Sequence, residues 1–428
     1  MLRLFLSSLL IITFYSGCTT QTGPAAAASE KDAIYIDKNT LILFALDAQS
    51  RKDYGPAVGY YDLLYKKTKD VLYRDQAMSV LMHGRYYKEI ISRLSLMRQN
   101  GETITEQYQR YLIVSLLAQG DVESAEKEAL DLREKSPSEE NYLALAEVYL
   151  FKKEYDKTLE NLEQGYAINY SERILDQITL LLYTNMNRRN AAVQRLQQHI
   201  ENFGYSLLLT KRLAAFYDDQ MDDEGLLKIY PHLYDLEPTQ KNANSMIQLY
   251  WNANKIPELT QFLERTGSND ELLLKIYTSN KHFTKGKELA NKLYDETGEI
   301  NYLGQKAIFT YEAAKNKKEK KLLDGVIRDL TKVVEAKPEG YYLNYLGYCL
   351  IEYDRDIEKG IGYVKRALAM EPDSAYFLDS LAWGYFKQGK CQEADELMQR
   401  VVKVMGADDE EVKAHLEAIQ KCKKGKNR

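Results

Sequence analysis

Residues 340–406 read GYYLNYLGYCLIEYDRDIEKGIGYVKRALAMEP, then DS, then AYFLDSLAWGYFKQGKCQEADELMQRVVKVMG. Leu343, Leu346, Gly347 and Leu350 of the first half align with Leu378, Leu381, Ala382 and Tyr385 of the second. Gly360, Val364, Ala367 and Pro372 align with Ala394, Met398, Val401 and Gly406. The stretch is therefore one unit written twice, at a spacing of roughly 34 residues. Apolar residues at i, i+3, i+4 and i+7 give each predicted helix one buried stripe. Gly347, Ala382 and Ala394 fall where two paired helices would cross, because a larger side chain there would hold the backbones apart. Gly389 ends the first helix of its pair, and Pro372 closes a unit because proline cannot continue a helix.

These features resemble tetratricopeptide repeats. The string Asp379-Ser380-Leu381-Ala382-Trp383 is also similar to the last repeat of many bacterial envelope repeat lipoproteins, in which D-S-L-G-W is common. The resemblance implies an all-α fold, a right-handed superhelix of stacked helix pairs with a concave face, each pair burying its core against its neighbours.

Working outward, looser copies cover residues 38–406. Lys38–Lys69 carries Leu41, Phe44, Ala45 and Ala48 on one helix and Ala57, Tyr61 and Leu64 on the next, with Pro56 in its first turn. A weaker copy has Ala77, Leu81, Ile90 and Leu94. Clearer ones span Glu106–Pro137, Glu139–Tyr170, Asp176–Phe203 and Leu207–Pro238. In the last of these, Pro231 falls inside the second helix, where a kink is expected. Residues 239–337 are least regular, yet they divide into three short pairs, with Pro257 opening one helix and the basic run Lys315–Lys321 serving as a solvated turn. The total is about eleven pairs. No strand-like alternation persists.

The ends are different. Arg3 precedes an apolar run, Leu4–Phe14, that is too short to span a bilayer, which takes about 20 residues, and reads as a signal peptide over 1–17. Ser16-Gly17-Cys18 resembles a bacterial lipobox, although Tyr15 stands where Leu is usual. That resemblance implies lipidation at Cys18, a membrane anchor, a flexible tether over 18–37, and placement at the outer membrane facing the periplasm. At the other end, Val412, Leu416 and Ile419 share one face of a predicted helix over 407–422, which would cap the array, and 423–428 reads as a basic tail without fixed structure.

The net charge of −5 implies no general affinity for nucleic acid. The five histidines are scattered and form no H-E-x-x-H pair. There is no G-x-S-x-G elbow and no phosphate loop. The acidic turn Asp218, Asp219, Asp222, Asp223 and Glu224 lacks the spacing of a calcium loop. No catalytic, metal or cofactor site is therefore expected, nor a small-molecule substrate.

A protein or peptide partner is better supported. First-helix residues one turn off the core stripe face the concave groove. In the two best units these are Tyr341, Asn344, Tyr348 and Ile351, then Tyr376, Asp379, Trp383 and Phe386. Aromatic side chains give contact area at small entropic cost, while amides and carboxylates fix register. The alternative is that these aromatics cover the end of the array itself. Two functions stand: a lipid-anchored adaptor organising an envelope complex, or a regulatory subunit of a cell-wall enzyme.

The chain has four cysteines. With Cys18 set aside, Cys391 opens the last repeat's second helix and Cys422 continues the apolar face of the cap. Two antiparallel helices joined by a tight turn bring together residues equally far from it, and the midpoint of this pair falls at Gly406-Ala407. A Cys391–Cys422 disulfide is expected, with Cys349 left as a buried thiol. Such a bridge would close a loop of roughly 30 residues, worth about 3–4 kcal/mol on a chain-entropy argument.

Overall fold

Asp37 starts the folded array. Its carboxylate accepts the backbone N–H of Asn39 at 2.9 Å and of Thr40 at 3.1 Å, which satisfies amides otherwise left open at a helix start. Thr105, Asp121, Ser206, Asp222, Asn269 and Asp356 repeat the device along the chain. The computed structural model describes residues 36–406 and 409–426, and all regular structure among them is helical. The expected leader, Cys18 and nearly all of the tether lie outside the described residues.

The helices come in pairs. α1 (Lys38–Ser50) pairs with α2 (Tyr54–Thr68), α3 (Val71–His83) with α4 (Tyr87–Gln99), and α5 (Glu106–Gln119) with α6 (Val122–Lys135). Next come α7 (Glu139–Phe151) and α8 (Tyr155–Asn169), then α9 (Glu172–Leu180) and α10 (Arg189–Phe203), then α11 (Leu207–Asp219) and α12 (Asp223–Leu236). The irregular middle resolves into α13 (Gln240–Asn252) with α14 (Ile256–Thr266), α15 (Asp270–Ser279) with α16 (Phe283–Thr297), and α17 (Ile300–Glu312) with α18 (Lys320–Ala336). The quoted stretch supplies α19 (Gly340–Glu352), α20 (Ile357–Met370), α21 (Ala375–Lys387) and α22 (Cys391–Met405), and α23 (Glu410–Lys426) follows. The fold is all-α: eleven tetratricopeptide-like pairs and a terminal helix among the described residues.

The chain forms two compact units, one up to Leu249 and one from Tyr250. In the first, a single apolar core runs from Leu41 of α1 to Tyr149 of α7. In the second, one core joins α17 to α20 and reaches Phe377, and another joins Leu378, Ala382, Ala394, Met398 and Val401 to Val412 and Ile419 of α23. Close approach decides the α19–α20 crossing. A Cβ on Gly347 would stand 2.6 Å from Val364 Cγ2 and 2.8 Å from the Gly360 carbonyl. Pro257 lies in the first turn of α14, as expected.

Several details depart from the expectations. Phe44 is not core: it is 43% exposed, and its ring meets Tyr60 of α2 at 5.6 Å. α9 passes into a π turn at Leu181–Asn185 before its pair closes. Residues 423–426, expected as part of a tail without structure, continue α23, and Lys423 Nζ donates to Asp395 Oδ2 of α22 at 2.5 Å. Among the described residues no helix is long and apolar enough to cross a membrane.

Candidate functional site

The candidate groove residues lie on α19 and α21, the first helices of the last two pairs. On α19, Tyr341 is exposed, with its ring 5.2 Å from Tyr345 and 5.7 Å from Tyr342. One turn on, the Asn344 amide oxygen is enclosed and has no hydrogen-bond partner. Tyr345 donates to Glu312 of α17 at 3.0 Å. Burial pushes the phenols of Tyr345 and Tyr348 far above their ordinary range, with Tyr341 and Glu312 adding to the effect at Tyr345 and Glu411 adding to it at Tyr348. Tyr311 shares its hydroxyl with Tyr353 at 3.0 Å and lies under the Lys317 ammonium at 4.4 Å. Cys349, among these rings, is a buried free thiol that burial, with Glu312 adding to it, pushes up to about 12.

Ile351 does not face a groove. It is fully buried with Ile361, Val364 and Leu381. An inner helix of a stack touches both its own partner and the next pair, so its apolar stripe is wider than one face, and Ile351 belongs to the added width.

The structure gives Tyr348, Asp379 and Trp383 partners within the chain. Asp379 is only 8% exposed, and both its carboxylate oxygens lie close to His415 Nδ1, at 3.1 and 3.0 Å. Trp383 stacks on Phe386 at 4.7 Å and on His415 at 4.0 Å, and its indole N–H donates to Glu352 of α19 at 2.7 Å. Lys387 donates to the Glu352 carbonyl at 3.1 Å and lies 5.7 Å from the Trp383 ring. Tyr348 donates to Glu411. α23 thus covers the centre of the expected groove. Phe386 is half-buried, whereas Tyr376, at 69% exposed, stays open. Glu352, Glu411 and His415 were not among the expected residues. Glu411 and His415 are four apart on one helix, and that spacing is the signal that could have found them.

Cys391 and Cys422 are disulfide-bonded, with Cα atoms 5.7 Å apart. The bridge and the Lys423–Asp395 pair fix the far end of α23 to α22. Cys18 lies outside the described residues. In the acidic turn, Asp222 caps α12 and Asp219 accepts from Tyr183 at 2.7 Å. Among the described residues no three His, Cys, Asp or Glu side chains converge as metal ligands.

No family model matches the chain, and no curated protein matches it. Several solved structures of helical-repeat proteins are loosely similar to it. The Cut9–Hcn1 hetero-tetramer of the APC/C is 8% identical, over 91% of this chain and 98% of that one, with a TM-score of 0.44. Yeast Tom70 is 12% identical, over 93% and 96%, with a TM-score of 0.33. The C-terminal part of a TPR repeat-containing protein from Cytophaga hutchinsonii is 15% identical, over 55% and 98%, with a TM-score of 0.32. At such values the likeness adds nothing to what the helix pairs establish.

Proposed function

We propose that this chain is a protein-interaction scaffold, anchored by a lipid on Cys18 to the outer membrane of a bacterial cell, that organises a complex on the periplasmic side. The observation that supports it most is the open part of the α19–α21 face. Tyr341 and Tyr376 occupy equivalent places on the two helices and are both exposed. Exposed aromatic rings at a repeating position suit a protein segment, which brings apolar side chains at a matching spacing.

Two experiments test the two parts of the reading. A photo-crosslinking residue at Tyr376 in intact cells should capture one defined partner, and turnover by the purified protein alone would count against a scaffold. Cys18→Ser should leave the protein uncleaved or soluble. If that variant still fractionates with the outer membrane as the unaltered protein does, the anchor is not at Cys18.

A further inference from the structure

α23 is held in place by few buried groups. Among its described side chains Val412, His415 and Ile419 are buried, whereas α21 buries eight residues. Its contacts nevertheless read like those of a docked ligand. Glu411 accepts from Tyr348, His415 lies between the Asp379 carboxylate and the Trp383 ring, and Val412 and Ile419 enter the core beside Leu378, Met398 and Val401. Val412, His415, Leu416 and Ile419 stand at i, i+3, i+4 and i+7, with Glu411 beside them, the pattern of an amphipathic helix laid in a groove. The Cys391–Cys422 bridge then holds this helix on the array.

We propose that α23 is a displaceable occupant of the surface formed by α22 and α21 with Tyr348 of α19 at its edge, locked by the Cys391–Cys422 disulfide, and that opening the disulfide lets a partner's amphipathic helix of the same chemistry take its place. This rests on the reading that the face binds protein. The partner helix carries a carboxylate for Tyr348, an imidazole for Asp379 and Trp383, and two apolar side chains for Leu378, Met398 and Val401. Exchange of helix for helix keeps that core covered, which a bare face would not. The opening step needs a dithiol reductant. Its thiolate attacks one sulfur of the bridge, the mixed disulfide closes onto the second reductant thiol, and two electrons and two protons pass to Cys391 and Cys422. While the bridge is closed, α23 is a covalently tethered competitor that no free helix displaces.

The chain has two tryptophans, so Trp251→Phe in the full-length protein leaves Trp383 as sole reporter. Acrylamide quenching of Trp383 should rise at least about twofold once dithiothreitol has freed both thiols, because local opening exposes the ring. A synthetic peptide of residues 409–424 with Ser at 422, added above the roughly millimolar effective concentration of the tethered α23, should restore the shielding in the reduced protein and leave the oxidised protein unchanged. Cys391→Ser with Cys422→Ser should behave as the reduced protein does. Unchanged quenching after verified reduction overturns the proposal, as does failure of the peptide to restore shielding. Loss of more helix than the 17 residues of α23 also overturns it, because the cap would then be structural. The crosslink from Tyr376 is independent of α23, so its failure removes the protein-binding reading without reference to the latch.

Discussion

Among the described residues, ten pairs turn from their first helix to their second through one residue in the left-handed region: Lys52, Arg85, Gly120, Lys153, Asn187, Met221, Asn254, Lys281, Asp354 and Gly389. Only two of the ten are glycine, which is why Gly389 was legible as a helix end while most of the turns were not. A side chain with a Cβ is strained there, by about 1 kcal/mol or more. Met221 has φ of 54° and its side chain is solvent-exposed. Met221→Gly should therefore stabilise the protein by roughly 0.5–1 kcal/mol, and Gly389→Ala should destabilise it by a similar amount, both read from urea unfolding. Cys349 makes a second residue-scale prediction. Its ordinary value is 9.0 and burial raises it to about 12. The unfolded chain thus gives up the thiol proton first, so the contribution to stability is whole below pH 9 and falls as pH rises towards 12. Iodoacetamide at about pH 8, below the ordinary thiol value, should leave Cys349 unmodified in the folded protein and label it after denaturation; equal labelling in both states would show that the thiol is not enclosed.

Helix crossings and the cap set the next scale. Gly347 faces Gly360 across the α19–α20 contact, and a Cβ at either position would stand 2.8 Å from the other helix's backbone carbonyl. Gly347→Ala gains helix propensity of about 1 kcal/mol but forces the backbones apart, an overpacking penalty of roughly 1–3 kcal/mol. A net loss of stability is expected, and a gain in the urea midpoint would show that the helices separate freely. This crossing was readable because small residues recur at the same place in both copies of the unit. The docking of α23 on α22 was legible too, from the apolar face of Val412, Leu416 and Ile419 and the placing of Cys391 and Cys422 either side of one turn, but its reach to Tyr348 and the depth of Ile351 were not. The Tyr348–Glu411 bond joins residues 63 apart, and nothing local in either segment marks the other. Ile351 repeats the spacing of a groove residue while the adjoining pair covers it.

At the scale of the whole molecule, the repeat itself was legible, since one buried stripe recurs from Leu41 to Val401 and makes the same demand of each pair. The π turn at Leu181–Asn185 was not, because Leu181, Leu182 and Tyr183 fit the apolar stripe of an ordinary helix equally well. In a stack of this kind stability is a sum of pair terms and nearest-neighbour interfaces. Leu145 of α7 is completely buried in the core of the first unit. Leu145→Ala removes that packing, at a cost of about 2–5 kcal/mol. Amide hydrogen exchange should then lose protection in α5–α8, which lie around the cavity, with little change in α1 and α2 at the far end of the same core. An equal loss from α1 to α12 would instead mean that the first unit opens as one cooperative body, and the nearest-neighbour account would be wrong for this protein.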